Sequence, residues 1–194
     1  MLEIAIIRHG ITNWNQAGRM QGHRDIPLND QGLNQAGRIA RRLSDERWDA
    51  IISSDLKRAA VTADIIAATA AVPSPIRDQR LRERSFGRLE GTTNTERELE
   101  WGKAWIELEH GVESDESLFQ RGSSFLEDMK RLYTSGSIIV VTHGGWIRQM
   151  FRELFPEMAE FQPGNTAMNR IRFEDGEWRC LLYNCTLHLN NDDR

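Results

Sequence analysis

Leu2-Glu3-Ile4-Ala5-Ile6-Ile7-Arg8-His9-Gly10 is the stretch on which the reading of this chain turns. Its first part is short, apolar and rich in β-branched residues, the pattern of a strand buried on both faces. It ends abruptly in a cation, an imidazole and a glycine. A strand of this kind belongs to a parallel sheet covered by helices, and such sheets bind ligands where their strands end.

The same grammar recurs downstream. Ser137-Ile138-Ile139-Val140-Val141-Thr142 is the clearest strand in the chain and runs into His143-Gly144-Gly145, with a helix expected from about Trp146 to Leu154. Ala50-Ile51-Ile52-Ser53 reads as another strand, followed by an alanine-rich helix from Leu56 to Ala70 that Pro73 and Pro75 end. Asn29-Asp30 opens a helix with Leu33, Ala36, Ala40 and Leu43 on one face, which Arg38, Arg41 and Arg42 avoid. Helical patterns are expected over Glu96 to Glu109 and over Ser117 to Tyr133. Two strand-like runs, Ala167 to Phe173 and Trp178 to Tyr183, flank a turn at Gly176, and the tail Asn190-Asn191-Asp192-Asp193-Arg194 is expected to fray. The prediction is an α/β domain with a mainly parallel sheet covered on both faces, over residues 1–194 as one unit.

If the strands run parallel, their ends share one edge, and His9, His143, Ser53-Ser54 and Arg58, in the first turn of the helix beyond, meet in one pocket. Arg8 joins them. Two guanidiniums and two imidazoles make a local cationic cradle in a chain whose net charge is −4, so the guest is a small anion rather than nucleic acid or a membrane surface. Phosphate suits it, because arginine pairs bidentately with phosphate oxygens and stays charged. A neutral imidazole can attack phosphorus and hold the phosphoryl group. A carboxylic acid then serves the leaving oxygen and the incoming water. Glu83, in Leu81-Arg82-Glu83-Arg84-Ser85-Phe86-Gly87, is the candidate. The competing readings are a metal held by the two histidines, disfavoured by the adjacent arginines, and a solvated stretch of alternating charge around Glu83. The backbone N–H of Gly144, near a helix start, is a further donor to an anion.

These residues also carry a resemblance. Arg8-His9-Gly10-Ile11-Thr12-Asn13-Trp14-Asn15 resembles the signature of the histidine phosphatase superfamily, the phosphoglycerate-mutase-like proteins. The likeness continues through Gly18-Arg19-Met20-Gln21-Gly22-His23, Ser53-Ser54-Asp55-Leu56-Lys57-Arg58-Ala59, Leu81-Arg82-Glu83 with Glu90-Gly91, and Thr142-His143-Gly144-Gly145, in the family's order. It implies a three-layer α/β/α sandwich whose sheet carries one antiparallel strand, with the last two strand-like runs supplying the edge. It implies His9 as phosphoryl acceptor, with Arg8, Arg58 and His143 binding the phosphoryl group and Glu83 as proton donor and acceptor. Asn15 matches a further phosphate contact, and Gln21 and Gly22 line the pocket. It implies no metal and no other cofactor. His23, His110 and His188 match nothing at the centre, with His23 placed at most on the rim.

Water as acceptor makes the chain a phosphatase; a sugar-acid hydroxyl makes it a mutase; a non-catalytic binding module is the third reading. Mutases of the family carry an Arg-Arg pair after the glutamate block and usually Asn where Gly145 stands. Here the corresponding stretch, Gly91 to Arg121, is acidic, has no adjacent basic pair and includes Trp101, Trp105 and Phe119. It is the expected specificity region, and a phosphatase acting on a small phosphorylated substrate is the favoured reading. Cys180 and Cys185 lack disulfide-framework and zinc spacing, no apolar run reaches membrane-span length, and no basic leader precedes the first strand. These point to a cytoplasmic protein without nucleic-acid or membrane partners; a homodimer is compatible with the sequence, which does not fix the oligomeric state.

Overall fold

The computed structural model describes residues 1–158 and 162–190; most of the tail expected to fray, 191–194, lies outside them. Strand β1 (Leu2–Arg8) lies beside β4 (Gly136–Thr142) in parallel, β4 pairs with β2 (Ala50–Ser53), and β2 with β3 (Ile76–Arg77), all parallel. On the other flank β1 pairs antiparallel with β5 (Met168–Glu174), and β5 antiparallel with β6 (Glu177–Cys185). The six-stranded order is β3-β2-β4-β1-β5-β6. Because two reversals cancel, β6 runs with β1, and β5 is the single strand against the rest. The turn between β5 and β6 is Asp175-Gly176, both at positive φ (53° and 86°), the conformation a two-residue hairpin needs.

The side-chain period of two sorts β1 and β4 into two cores. Ile4, Ile6, Ile138 and Val140 face α5 (Asp115–Leu132) and α6 (Gly144–Leu154), packing on Phe125, Trp146 and Phe151. Ala5, Ile7, Ile139 and Val141 face α2 (Asp30–Leu43) and α3 (Lys57–Ala70), packing on Ile39, Leu43 and Ile66. Each buried isoleucine contributes about 1.5–3 kcal/mol relative to exposure. A strand apolar at both parities can only be stable with helices on both sides, so the three layers follow from the β1 sequence itself.

Four expectations need correction. Leu33 is 43% exposed; the buried face of α2 runs through Gly32, Ala36, Ile39, Ala40 and Leu43 instead. Gly32 sets that face, because a Cβ there would stand 2.1 Å from the Ile11 carbonyl oxygen, so the helix start docks backbone to backbone on the loop after β1. The helix expected over Glu96 to Glu109 stops early. α4 spans Asn94–Trp101 and ends at Gly102, φ 79°, with a separate 3-10 turn at Trp105–Glu107. The helices expected from Ser117 and Trp146 start earlier, at Asp115 behind the Ser114 cap and at Gly144. Finally, the two-residue edge strand β3 is too short to announce itself by period. Among the described residues no helix is long and apolar enough to cross a membrane.

Candidate active site

Register brings the strand ends together. Arg8 stands opposite Thr142 and Ser53 opposite Val141, so His9, His143 and Ser54 are each the first residue beyond aligned strands. The ladder extends one step further: His9 N–H donates to the Thr142 carbonyl (2.9 Å) and Ser54 N–H to the Val141 carbonyl (3.0 Å). The His9 and His143 rings lie 5.1 Å apart, centroid to centroid, tilted by 58°. Both are buried.

One hydrogen bond fixes the tautomer of His9. Its Nδ1 lies 2.7 Å from the Gly10 carbonyl oxygen. A carbonyl only accepts, so Nδ1 carries the proton and Nε2 holds the lone pair. Burial first, then the charges of Arg58 and Arg8, hold this imidazole well below its usual pKa, so it is neutral near pH 7. Gly10 has to be glycine, because a Cβ there would stand 2.5 Å from the Gly32 carbonyl oxygen. Its N–H donates to Thr62 Oγ1 (3.2 Å), which ties the loop to α3.

Arg58 is fully buried in the first turn of α3. Its Nη1 donates to the Arg24 carbonyl (2.8 Å) and its Nη2 to the Gly22 carbonyl (2.7 Å), and among the described residues no carboxylate makes a hydrogen-bonded pair with it. Burial lowers its pKa to about 10, with Glu83 opposing the shift, so it stays charged at neutral pH. Arg8 reaches back through Nη1 to the Pro163 carbonyl (2.6 Å). Burying a guanidinium without a paired anion costs several kcal/mol. In the site, Arg8 Nε, Arg58 Nε and both ring nitrogens of His143 are buried with no hydrogen-bond partner among the described residues. His143 is also held well below its usual pKa, by burial first and then by Arg58, His9 and Arg8. As the N-cap of α6 it makes no side-chain cap, so the Gly144 N–H heads a helix start beside Arg8, whose Nε lies 3.3 Å from where a Gly144 Cβ would be.

Glu83 faces the same cluster. Its Oε1 accepts from the Arg84 N–H (2.8 Å) and its Oε2 from the Gly145 N–H (3.1 Å), while its charge acts on both Arg8 and Arg58. A Cβ at Gly145 would stand 2.3 Å from Glu83 Oε1, so any side chain at 145 displaces this carboxylate.

Arg8, His9, Arg58, Glu83, His143 and Gly144 thus lie together. The Asn15 Oδ1 closes a capping box on Thr12 at the start of α1 (Asn13–Gln16), in the loop that follows His9; among the described residues no hydrogen bond engages its Nδ2. Gln21 is buried with Oε1 3.1 Å from Thr12 Oγ1, and Gly22 takes φ 50° and supplies the carbonyl that holds Arg58.

Several supporting residues escaped the sequence reading. Asn165 donates from Nδ2 to the His9 carbonyl (3.1 Å) and lies 3.5 Å from Asn15 Oδ1. The Thr166 N–H is shared between the carbonyls of Arg8 (3.1 Å) and His9 (3.3 Å). Arg121 donates to the carbonyls of Arg80, Arg82 and Glu83 and pairs with Glu113, which pins the glutamate segment to α5. His23 is half-buried beside the glutamate segment, where its Nε2 donates to the Glu83 carbonyl (2.9 Å).

The specificity region also needs correction. Among the described residues, three of its eight acidic residues form ion pairs: Glu96 with Arg19, Glu113 with Arg121, and Asp115 with Arg84 and Arg152. Trp105 lines a cavity there with Arg84, Arg148 and Arg152, so that wall is not simply acidic. Trp101 stacks on His110, and Phe119 packs on the core.

The sequence profile of the histidine phosphatase superfamily (branch 1) matches residues 4–186. The chain belongs to this superfamily. It is 36% identical to phosphoglycerate mutase-like protein 4 of Arabidopsis thaliana, covering 96% of this chain and 86% of that protein. It is equally 36% identical to a metal-independent phosphoserine phosphatase of the same plant, covering 97% and 84%. The crystal structure of a phosphoserine phosphatase from Entamoeba histolytica, in complex with phosphoserine, superposes with a TM-score of 0.81 at 30% identity, over 97% of this chain and all of that one. Among histidine phosphatases this chain thus resembles proteins named for phosphatase activity and proteins named after the mutases.

Proposed function

We propose that the chain hydrolyses phosphomonoesters of small metabolites through a phosphohistidine at His9, without a metal ion. The observation that carries the reading is the set of buried, partnerless polar atoms on Arg8, Arg58 and His143 around a neutral His9 whose lone pair sits on Nε2. In this reading Nε2 attacks phosphorus, and the P–O bond to the alcohol breaks as Glu83 delivers a proton to the departing oxygen. The two guanidiniums, His143 and the Gly144 N–H hold the non-bridging oxygens, and the Asn15 amide adds a donor. Gln21 and Gly22 shape the floor through Thr12 and Arg58. The Gly10 carbonyl, accepting from Nδ1–H, stabilises the positive charge that the ring gains on phosphorylation. Water then attacks the phosphohistidine, losing its proton to Glu83, and phosphate leaves with His9 neutral again. The arginines supply the positive charge that a metal ion supplies elsewhere. The free thiols of Cys180 and Cys185 fit the cytoplasmic setting we assign.

Water rather than a second hydroxyl is favoured as acceptor by Gly145. The side chain usual there in mutases would displace the Glu83 carboxylate from the position it holds here. Incubation with 3-phosphoglycerate and catalytic 2,3-bisphosphoglycerate, following both isomer and inorganic phosphate, tests this. Phosphate release is expected to outrun isomerisation; isomerisation running far ahead would replace the phosphatase reading with the mutase one.

A further inference from the structure

A cavity of about 600 Å³ is lined by three chain neighbours of site residues: Met20 precedes Gln21, Arg84 follows Glu83 and donates its N–H to that carboxylate, and Arg148 lies one helical turn beyond Gly144, a rise of about 6 Å. Its volume lies in the range that holds a drug-sized molecule, well above what a glycerate or serine side would fill. Phe86 and Trp105 give it an apolar, aromatic lining.

Its charges are not balanced. Asp115 sits between two guanidiniums, with Oδ1 2.5 Å from Arg84 and Oδ2 2.7 Å from Arg152, and the Gln149 amide oxygen accepts from both arginines. Glu109 is the other acidic residue in the lining. Arg148 takes part in no hydrogen bond or ion pair among the described residues, so the cavity offers one unspent cation about a helical turn from the phosphoryl end.

Building on the phosphatase reading, we infer that this cavity is the leaving-group pocket, and that its substrates are phosphomonoesters whose alcohol part has an aromatic or comparably broad apolar body ending in a carboxylate that pairs with Arg148. Arg148 is then a specificity residue: it reads the far end of the substrate and takes no part in the phosphoryl chemistry.

The test uses three esters: 3-(4-phosphooxyphenyl)propanoate, its charge-free analogue 4-propylphenyl phosphate, and phosphoserine. A charge-assisted hydrogen bond predicts that kcat/KM for the carboxylate ester exceeds that of the propyl analogue by about tenfold. Both aryl esters should surpass phosphoserine. In Arg148→Gln the ratio of carboxylate to propyl ester should fall towards one, with the change in KM rather than kcat. A wild-type preference for phosphoserine, or a ratio that Arg148→Gln leaves intact, overturns the inference while leaving phosphatase activity standing. Binding of the product alcohol, 3-(4-hydroxyphenyl)propanoate, by saturation-transfer NMR separates the two readings. If every ester stays intact, the phosphatase reading fails, and the pocket still stands or falls by whether wild type binds this alcohol and Arg148→Gln loses it.

Discussion

The floor of the site and its outer wall are built in opposite ways. On the floor, His9, His143, Arg8 and Arg58 stand at strand ends or in the first turn of a helix, all buried except half-buried Arg8, and the Nε of both arginines and both His143 ring nitrogens find no hydrogen-bond partner among the described residues. In the wall, between Gly91 and Arg121, the chain runs through a short helix and a 3-10 turn, and Glu96, Glu113 and Asp115 make ion pairs that are partly open to solvent. Unpaired buried cations store a demand for an anion that the fold cannot meet, whereas paired exposed charges store almost nothing. The floor therefore dictates the reaction, and the wall selects only what is attached to the phosphoryl group.

The sharpest way to break this contrast is to remove one carboxylate from the floor and one cation that pairs with the wall. Glu83→Gln should lower kcat/KM by about a hundredfold or more for alkyl phosphates, because a positioned general acid is worth roughly 10²–10⁴. For nitrophenyl phosphate, whose leaving anion needs no proton, the loss should be only a few-fold. Arg19→Ala breaks the surface pair with Glu96 and should change kcat/KM by less than about twofold for either ester. Equal losses for both esters in Glu83→Gln would make that residue structural, and a large loss in Arg19→Ala would erase the distinction between floor and wall.

A smaller effect concerns pH and stability. His9 and His143 are both held well below the usual imidazole range by burial and neighbouring guanidiniums. Below the unfolded value of about 6.5 the unfolded chain binds protons that the folded site refuses. The stability these residues confer is thus complete above that pH and is lost as the pH falls through it towards the folded values. Thermal midpoints without added phosphate should begin to fall below about pH 6.5, and His143→Gln should show a shallower fall. The same slope in wild type and variant would mean that His143 does not resist protonation.

The same contrast explains what was legible in the sequence. The three layers follow from β1 and β4, where both parities are apolar, and the placement of His9 and His143 follows from the strand-end rule. Leu33 was misplaced because a close backbone contact at Gly32, invisible to hydrophobic periodicity, rotates α2. Asn165 and Thr166 stayed hidden because they act through backbone carbonyls of Arg8 and His9 more than a hundred and fifty residues away. The wall was legible only in part: its glutamates are as the sequence has them, but Arg84, Arg148 and Arg152 enter the same cavity from outside the stretch, and ion pairing depends on the fold.

The central claim is that His9 Nε2 carries the phosphoryl group. Rapid acid-free quench with ³²P-labelled substrate, followed by stability tests on the labelled protein, measures it directly. Label that survives alkali, is lost in acid, maps to the peptide holding His9 and disappears with turnover in His9→Ala is the predicted result. Turnover by His9→Ala near the wild-type rate, or label on another residue, would contradict the account.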